Sequence, residues 1–163
     1  MKKSISITLD IAEIIFDIQN KTYLTGRSRS DALSHERVAA MQANDDEENL
    51  DQVRRSVSTA LAHLKTRVGE YLTVDATSAR NSLQEAAGSV VLLLAMPSNY
   101  NTASLEAIAA SAHDFIVARA VADWFVITDK SDASDYAEAA GRALSALDVA
   151  LCRRVRPRRP AAS

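Results

Sequence analysis

The sequence predicts a mainly α-helical fold with a small β element: a four-helix core plus a two-stranded sheet. Three observations lead there. Alanine, the best helix former, occurs 29 times in 163 residues. Four glycines and three prolines leave little material for the many tight turns of an all-β chain. Long segments repeat apolar residues at helical spacing, while only two short stretches read as strands. The 47% hydrophobic and 25% charged composition is ordinary for a globular protein, and the length suffices for one domain with a proper core.

The first strand is Ser4–Asp10, where Ile5, Ile7 and Leu9 alternate with Ser4, Ser6 and Thr8. Period two with β-branched residues means one buried face. Asp10 stands three before Glu13, close to a capping box, and Ile11, Ile14, Ile15 and Ile18 follow at helical spacing, predicting a first helix over about Asp10–Asn20. A continuation of the strand is the competing reading. Thr22 to Asn44 is the least regular region. Within it Thr25-Gly26-Arg27-Ser28-Arg29-Ser30 reads as a solvated loop whose glycine, hydroxyls and arginines would alternatively cradle a phosphate or accept an acidic partner. Ser34–Ala43 has room for a further helical turn or two.

Asn44 opens the clearest element. Asp45, Asp46, Glu47 and Glu48 crowd its first turn, where negative charge meets the positive end of the helix. Dipole compensation explains these carboxylates better than a metal site does. Leu50, Val53, Val57, Leu61, Leu64, Val68 and Leu72 then step by three or four residues, giving one apolar face over a helix of roughly 27 residues. Asp51, Arg55, Ser58, Lys65 and Arg67 fall opposite.

Thr73–Asn81 is polar and turn-like. Gly88–Met96, with five apolar residues in a row over Val90–Leu94, reads as a buried strand that pairs with Ser4–Asp10; a helix is the competing reading, but the paired valines, Gly88 and Pro97 favour β. A third helix follows from about Thr102 to Ile127, apolar over more than one stripe and so the most buried, with Arg119 and Asp123 placed for an ion pair. Ser131 or Asp132 caps a fourth helix, in which Gly141 marks a close helix contact. Pro157 and Pro160 end the helical chain.

Charge is divided unevenly. Arg153, Arg154, Arg156, Arg158 and Arg159 lie in an acid-free tail, residues 153–163, behind an α-rich domain over residues 1–152. That domain carries fourteen basic residues against 21 acidic ones, a net of −7. A basic, proline-broken tail on an acidic body points to attachment to something negative, either nucleic acid or a neighbouring copy. Arginine suits either role because its guanidinium meets phosphate or carboxylate in two-pronged geometry.

No catalytic constellation appears. His35, His63 and His113 share no metal-ligand spacing, and there is no Gly-x-x-x-x-Gly-Lys nucleotide loop. Neither a metal, a cofactor nor an enzymatic activity is expected. Cys152 allows no internal disulfide and fits a reducing cytosol. No apolar run is long enough to span a bilayer, and the alternating start does not read as a signal peptide. Trp124-Phe125 and Tyr136 read as core packing.

The long amphipathic helix from Asn44, the apolar strand ending Met96-Pro97-Ser98-Asn99-Tyr100-Asn101, the two helices after it and the charged tail resemble the head–tail connector group of tailed bacteriophages and prophages, the adaptor or head-completion proteins. The likeness is one of architecture and covers most of the chain. It implies a virion structural protein, made in the bacterial cytoplasm, that forms a homo-oligomeric ring beneath a portal and contacts portal, tail or neck proteins through exposed helix faces and terminal arms. Arg27, Arg29 and the five tail arginines are then the expected partner-binding residues. The competing reading is a DNA-binding or packaging accessory protein using the tail and Arg27/Arg29 in non-specific contact with DNA. The acidic body argues against it, since sequence-independent DNA binding wants a broad basic face.

Overall fold

The computed structural model describes residues 1–29, 31, 33–74, 77–83 and 88–157. In chain order these form β1 (Lys3–Asp10), α1 (Ile11–Ser28), α2 (His35–Met41), α3 (Glu47–Arg67), β2 (Ser89–Met96), a 3-10 turn (Thr102–Ser104), α4 (Leu105–Thr128) and α5 (Lys130–Leu151). The fold is mainly α with one two-stranded antiparallel sheet.

β1 pairs with β2 over its whole length, from Lys3 opposite Met96 to Asp10 opposite Ser89. The alternation in β1 is realised as read: Ile5, Ile7 and Leu9 are buried and the residues between them are exposed. β2 departs from expectation. Only Leu92, Leu94 and Met96 are buried, whereas Val91 is 54% and Leu93 48% exposed. Helices cover one face of this sheet and nothing among the described residues covers the other. An apolar run on a two-stranded ribbon therefore does not imply two buried faces.

α1 starts where the sequence puts it. The Asp10 carboxylate accepts from the N–H groups of Ala12 and Glu13, and Ile11, Ile14, Ile15 and Ile18 are buried. It then continues to Ser28 and is capped by Arg29; Ser30 lies outside the described residues, and Thr25–Ser28 of the stretch read as a loop is helical. Gly26 explains this: a Cβ there would lie 3.1 Å from the Val38 carbonyl oxygen, so the glycine allows α2 to cross closely. Gly26 serves helix packing, not a phosphate cradle. α2 occupies the turns expected over Ser34–Ala43, capped by the Ser34 hydroxyl.

α3 is shorter than the apolar spacing suggests. It ends at Arg67, after which Tyr71–Thr73 runs beside the second edge of β2: Ala95 N–H donates to the Tyr71 carbonyl and Thr73 N–H to the Leu93 carbonyl. Leu72 thus belongs to a bridge with Leu94 and not to the helix.

α4 lies at the centre, in contact with α5, α3, α1 and β1. Buried residues surround it on every side, among them Ile108, Phe115, Ile116, Val121, Trp124 and Phe125. Burying each large side chain of this kind contributes about 1.5–3 kcal/mol. Trp124 Nε1 donates to the Met41 carbonyl over 2.8 Å, and the Phe125 and Tyr136 rings meet at 5.5 Å. Arg119 and Asp123 form the expected i,i+4 pair at 3.3 Å. α5 folds back on α4 and is capped by Asp129, whose carboxylate accepts from the Ser131 N–H, two to three residues earlier than expected. Gly141 has open space where a Cβ would stand, so the close contact expected there is not made.

Candidate interaction surfaces

Two charged regions stand at opposite ends of α3. At its start Asp45, Asp46, Glu47 and Glu48 are all exposed, and none is among the residues forming salt bridges in the described structure. Asp45 accepts from the Gln19 side-chain amide at 2.7 Å, which places this acidic turn beside the middle of α1. At the other end Arg67 grips the Asp148 carboxylate with two prongs, tying the end of α3 to the end of α5. The Asp148 contacts push the Arg67 guanidinium upward from its ordinary pKa. The 21 residues of α3 separate its two ends by about 30 Å at 1.5 Å per residue.

The C-terminal segment leaves from that second end. α5 stops at Leu151, and Arg153–Val155 continues as an extended piece against Asn99–Asn101. Asn101 N–H donates to the Arg153 carbonyl at 3.1 Å and Val155 N–H to the Asn99 carbonyl at 2.8 Å. Arg154 lies within this pairing: Nη1 donates to the Leu151 carbonyl at 2.8 Å and the guanidinium sits 6.0 Å from the Tyr100 ring centre. Tyr100 is wholly buried, its hydroxyl donating to the Ala150 carbonyl, and burial raises its pKa. Arg154 is therefore an anchor for the segment. Arg153 and Arg156 are exposed and face solvent. Arg158 and Arg159 lie outside the described residues.

Arg27 and Arg29 do not join this group. They sit at the end of α1, which meets the start of α5 through the Thr25–Tyr136 hydroxyl pair at 2.7 Å and the Arg29–Asp132 ion pair. The 22 residues of α5 put them about 30 Å from Arg153. Arg29 is occupied within the molecule, since Asp132 is 4% exposed and would otherwise bury an unpaired carboxylate. Arg27 is exposed and takes no part in any described salt bridge.

One feature escaped the sequence reading. Phe16 is 61% exposed, and it lines up with Tyr23 and Arg27 at i, i+7 and i+11 on the outer side of α1. Two of the eight aromatic residues thus face water on one helix, in the composition that protein interfaces favour. The signal was present: Phe16 and Tyr23 fall out of phase with Ile11, Ile14, Ile15 and Ile18.

The histidines do not converge. His113 Nε2 lies 2.7 Å from Asp17 and links α4 to α1. Burial raises the pKa of the Asp123 carboxyl, an effect partly offset by the charges of Arg119 and His63. Among the described residues no three His, Cys, Asp or Glu side chains gather as metal ligands, and no helix is long and apolar enough to cross a membrane. A groove of about 310 Å³ between α1, α4 and α5 is lined by Lys21, Asp114, Tyr136 and Arg142 over an alanine floor. No protein-family profile, no curated protein and no solved structure matches the chain.

Proposed function

We propose that the chain is a structural subunit of a tailed-phage neck, assembling head to tail into a connector ring between portal and tail. One observation carries this reading: the exposed acids at the start of α3 and the start of the C-terminal segment, with its exposed Arg153, lie toward opposite ends of α3, about 30 Å apart. Charges so separated cannot satisfy each other within one copy. Between copies they are complementary, and a contact joining two different surfaces is heterologous, closing into a ring where the rotation allows. The outer side of α1, with Phe16, Tyr23 and Arg27, supplies an apolar lateral surface for neighbouring subunits, portal or tail proteins. The subunit acts by assembly and has no catalytic role in this reading.

The scatter of arginines weighs against the DNA-packaging alternative. Arg27 and Arg153 are a helix length apart, Arg29 and Arg154 are engaged internally, and the described arginines form no continuous basic face for a duplex.

The test is to truncate the chain after Val155 in a producing phage or prophage. This cut removes Arg156, Arg158 and Arg159 but keeps the pairing of Arg153–Val155 with Asn99–Asn101. Loss of tailed particles, with heads still formed, is expected. Normal tailed particles would remove the role given to the arm.

A further inference from the structure

β1 has a complete unpaired edge. Backbone N–H and C=O groups of successive residues in a strand point to opposite edges. In β2, Ala95 N–H and Leu93 C=O are directed to Tyr71–Thr73, so Val90, Leu92, Leu94 and Met96 are directed to β1. The register then turns Lys3, Ile5, Ile7 and Leu9 toward β2 and leaves Ser4, Ser6 and Thr8 directed outward. Among the described residues no backbone group meets these three across that edge. Natural proteins guard such edges with prolines, bulges or inward-pointing charges. Ser4–Leu9 has none of these, and its inward side chains are Ile5, Ile7 and Leu9.

We propose that this edge pairs with β1 of a second copy, antiparallel about a two-fold axis through Ser6. Ser6 then stands opposite Ser6, and Ser4 opposite Thr8, in hydrogen-bonded pairs that each exchange two backbone bonds. Outward groups meet outward groups, so the apolar face of both sheets stays on one side. The ends of the strand select this register. Lys2 of one copy falls opposite Asp10 of the other, twice by symmetry, on the same exposed face. Asp10 caps α1 through Oδ1 alone, and Oδ2 takes no part in that cap. A shift of two residues either way sets Lys2 opposite Thr8, or Asp10 opposite Ser4, and loses both charge pairs. The result is one continuous sheet in the order β2–β1–β1–β2. The strand is self-complementary in hydrogen bonding, facing and charge, which favours a second copy over a foreign strand. This contact is isologous and stops at two copies, unlike the head-to-tail charge contact.

Sedimentation velocity on the full chain over a range of concentrations reads the dimer. Ser6→Lys sets two lysines opposite each other at the axis while leaving the ladder to β2 intact, and should weaken dimerisation about tenfold or more. Ser6→Pro removes an outward N–H only and serves as a second probe. Register is read by disulfide trapping in a Cys152→Ser background. Ser6→Cys should cross-link with itself, because Cα atoms of a hydrogen-bonded pair lie about 5.5 Å apart, within disulfide range. Ser4→Cys alone should not, its symmetry mates being separated by roughly four residues of strand, about 13 Å. Ser4→Cys mixed with Thr8→Cys should. A full chain that stays monomeric at every concentration overturns the proposal and leaves the edge to a strand of another protein. So does a dimer unaffected by both Ser6→Lys and Ser6→Pro, or equal self-cross-linking by Ser4→Cys and Ser6→Cys. None of these outcomes bears on particle assembly by the arm.

Discussion

Helix α4 and strand β2 are the two most apolar stretches of the chain, and they end in different environments. α4 is enclosed by α1, α3, α5 and β1, so that almost every side of it is core. β2 has helices on one face only, and Val91 and Leu93 remain in contact with water. Apolarity sets what a segment tolerates being buried against. The number of elements available to cover it decides how much is buried. Here the two-stranded ribbon, with the five helices of the described residues packed on one side, has one covered face.

The largest effect that would break this contrast is in α4. Phe125 is fully buried against Tyr136, and Phe125→Ala should destabilise by about 3–5 kcal/mol in denaturant unfolding. A loss below 1 kcal/mol would mean that α4 is not the centre of the core. On the inner face of β2, Leu94→Ala should lower stability by about 2–5 kcal/mol, with the smaller end expected because a thin sheet collapses more easily around a cavity than a central helix does.

The third effect is a pH dependence within α4. Burial raises the Asp123 carboxyl, which outweighs the opposing pull of Arg119 and His63. A folded-state pKa above the unfolded value means that the folded protein binds the proton more tightly. The associated stability is present below the unfolded pKa and is lost as pH rises through the folded one. Melting temperatures of wild type and Asp123→Asn should therefore converge or cross in favour of wild type as pH falls through the carboxylate range. A gap that widens in favour of the asparagine variant on acidification would reverse the sign. The smallest effect belongs to the outer face of β2, where Leu93→Thr should change stability by less than about 0.5 kcal/mol. A large loss there would show that a partner covers that face.

Legibility in the sequence followed the same division. β1 could be read residue by residue because polar side chains alternate with apolar ones, and Ile5, Ile7 and Leu9 are the buried set. β2 could be located but its faces could not be told apart, since both are apolar. A substitution of Val91 or Leu93 by Asp, which a fully buried strand would not tolerate, meets solvent instead. The end of α1 was hidden by turn-like chemistry. Thr25-Gly26-Arg27-Ser28 has the residues of a loop, and only the close approach of Val38 explains why a helix keeps its glycine there. Among the candidate interaction residues, the acids of α3 and the tail arginines were visible as composition. That the acids and Arg153 sit at opposite ends of α3, that Arg29 and Arg154 are engaged internally, and that β1 offers a free edge among the described residues all depend on long-range contacts that no local pattern encodes.

The head-to-tail charge contact is tested most directly by mixing two half-blocked chains, both carrying Ser6→Lys to weaken pairing through β1. One is truncated after Val155; the other has Asp45, Asp46, Glu47 and Glu48 replaced by their amides. Native mass spectrometry at low ionic strength, where charge contacts are least screened, reads the species present. The parent Ser6→Lys chain should form larger assemblies. Each half-blocked chain alone should be monomeric, and their equimolar mixture should give a one-to-one dimer and nothing larger. A parent chain that does not associate, a mixture that stays monomeric, or a half-blocked chain that assembles like its parent would contradict the contact.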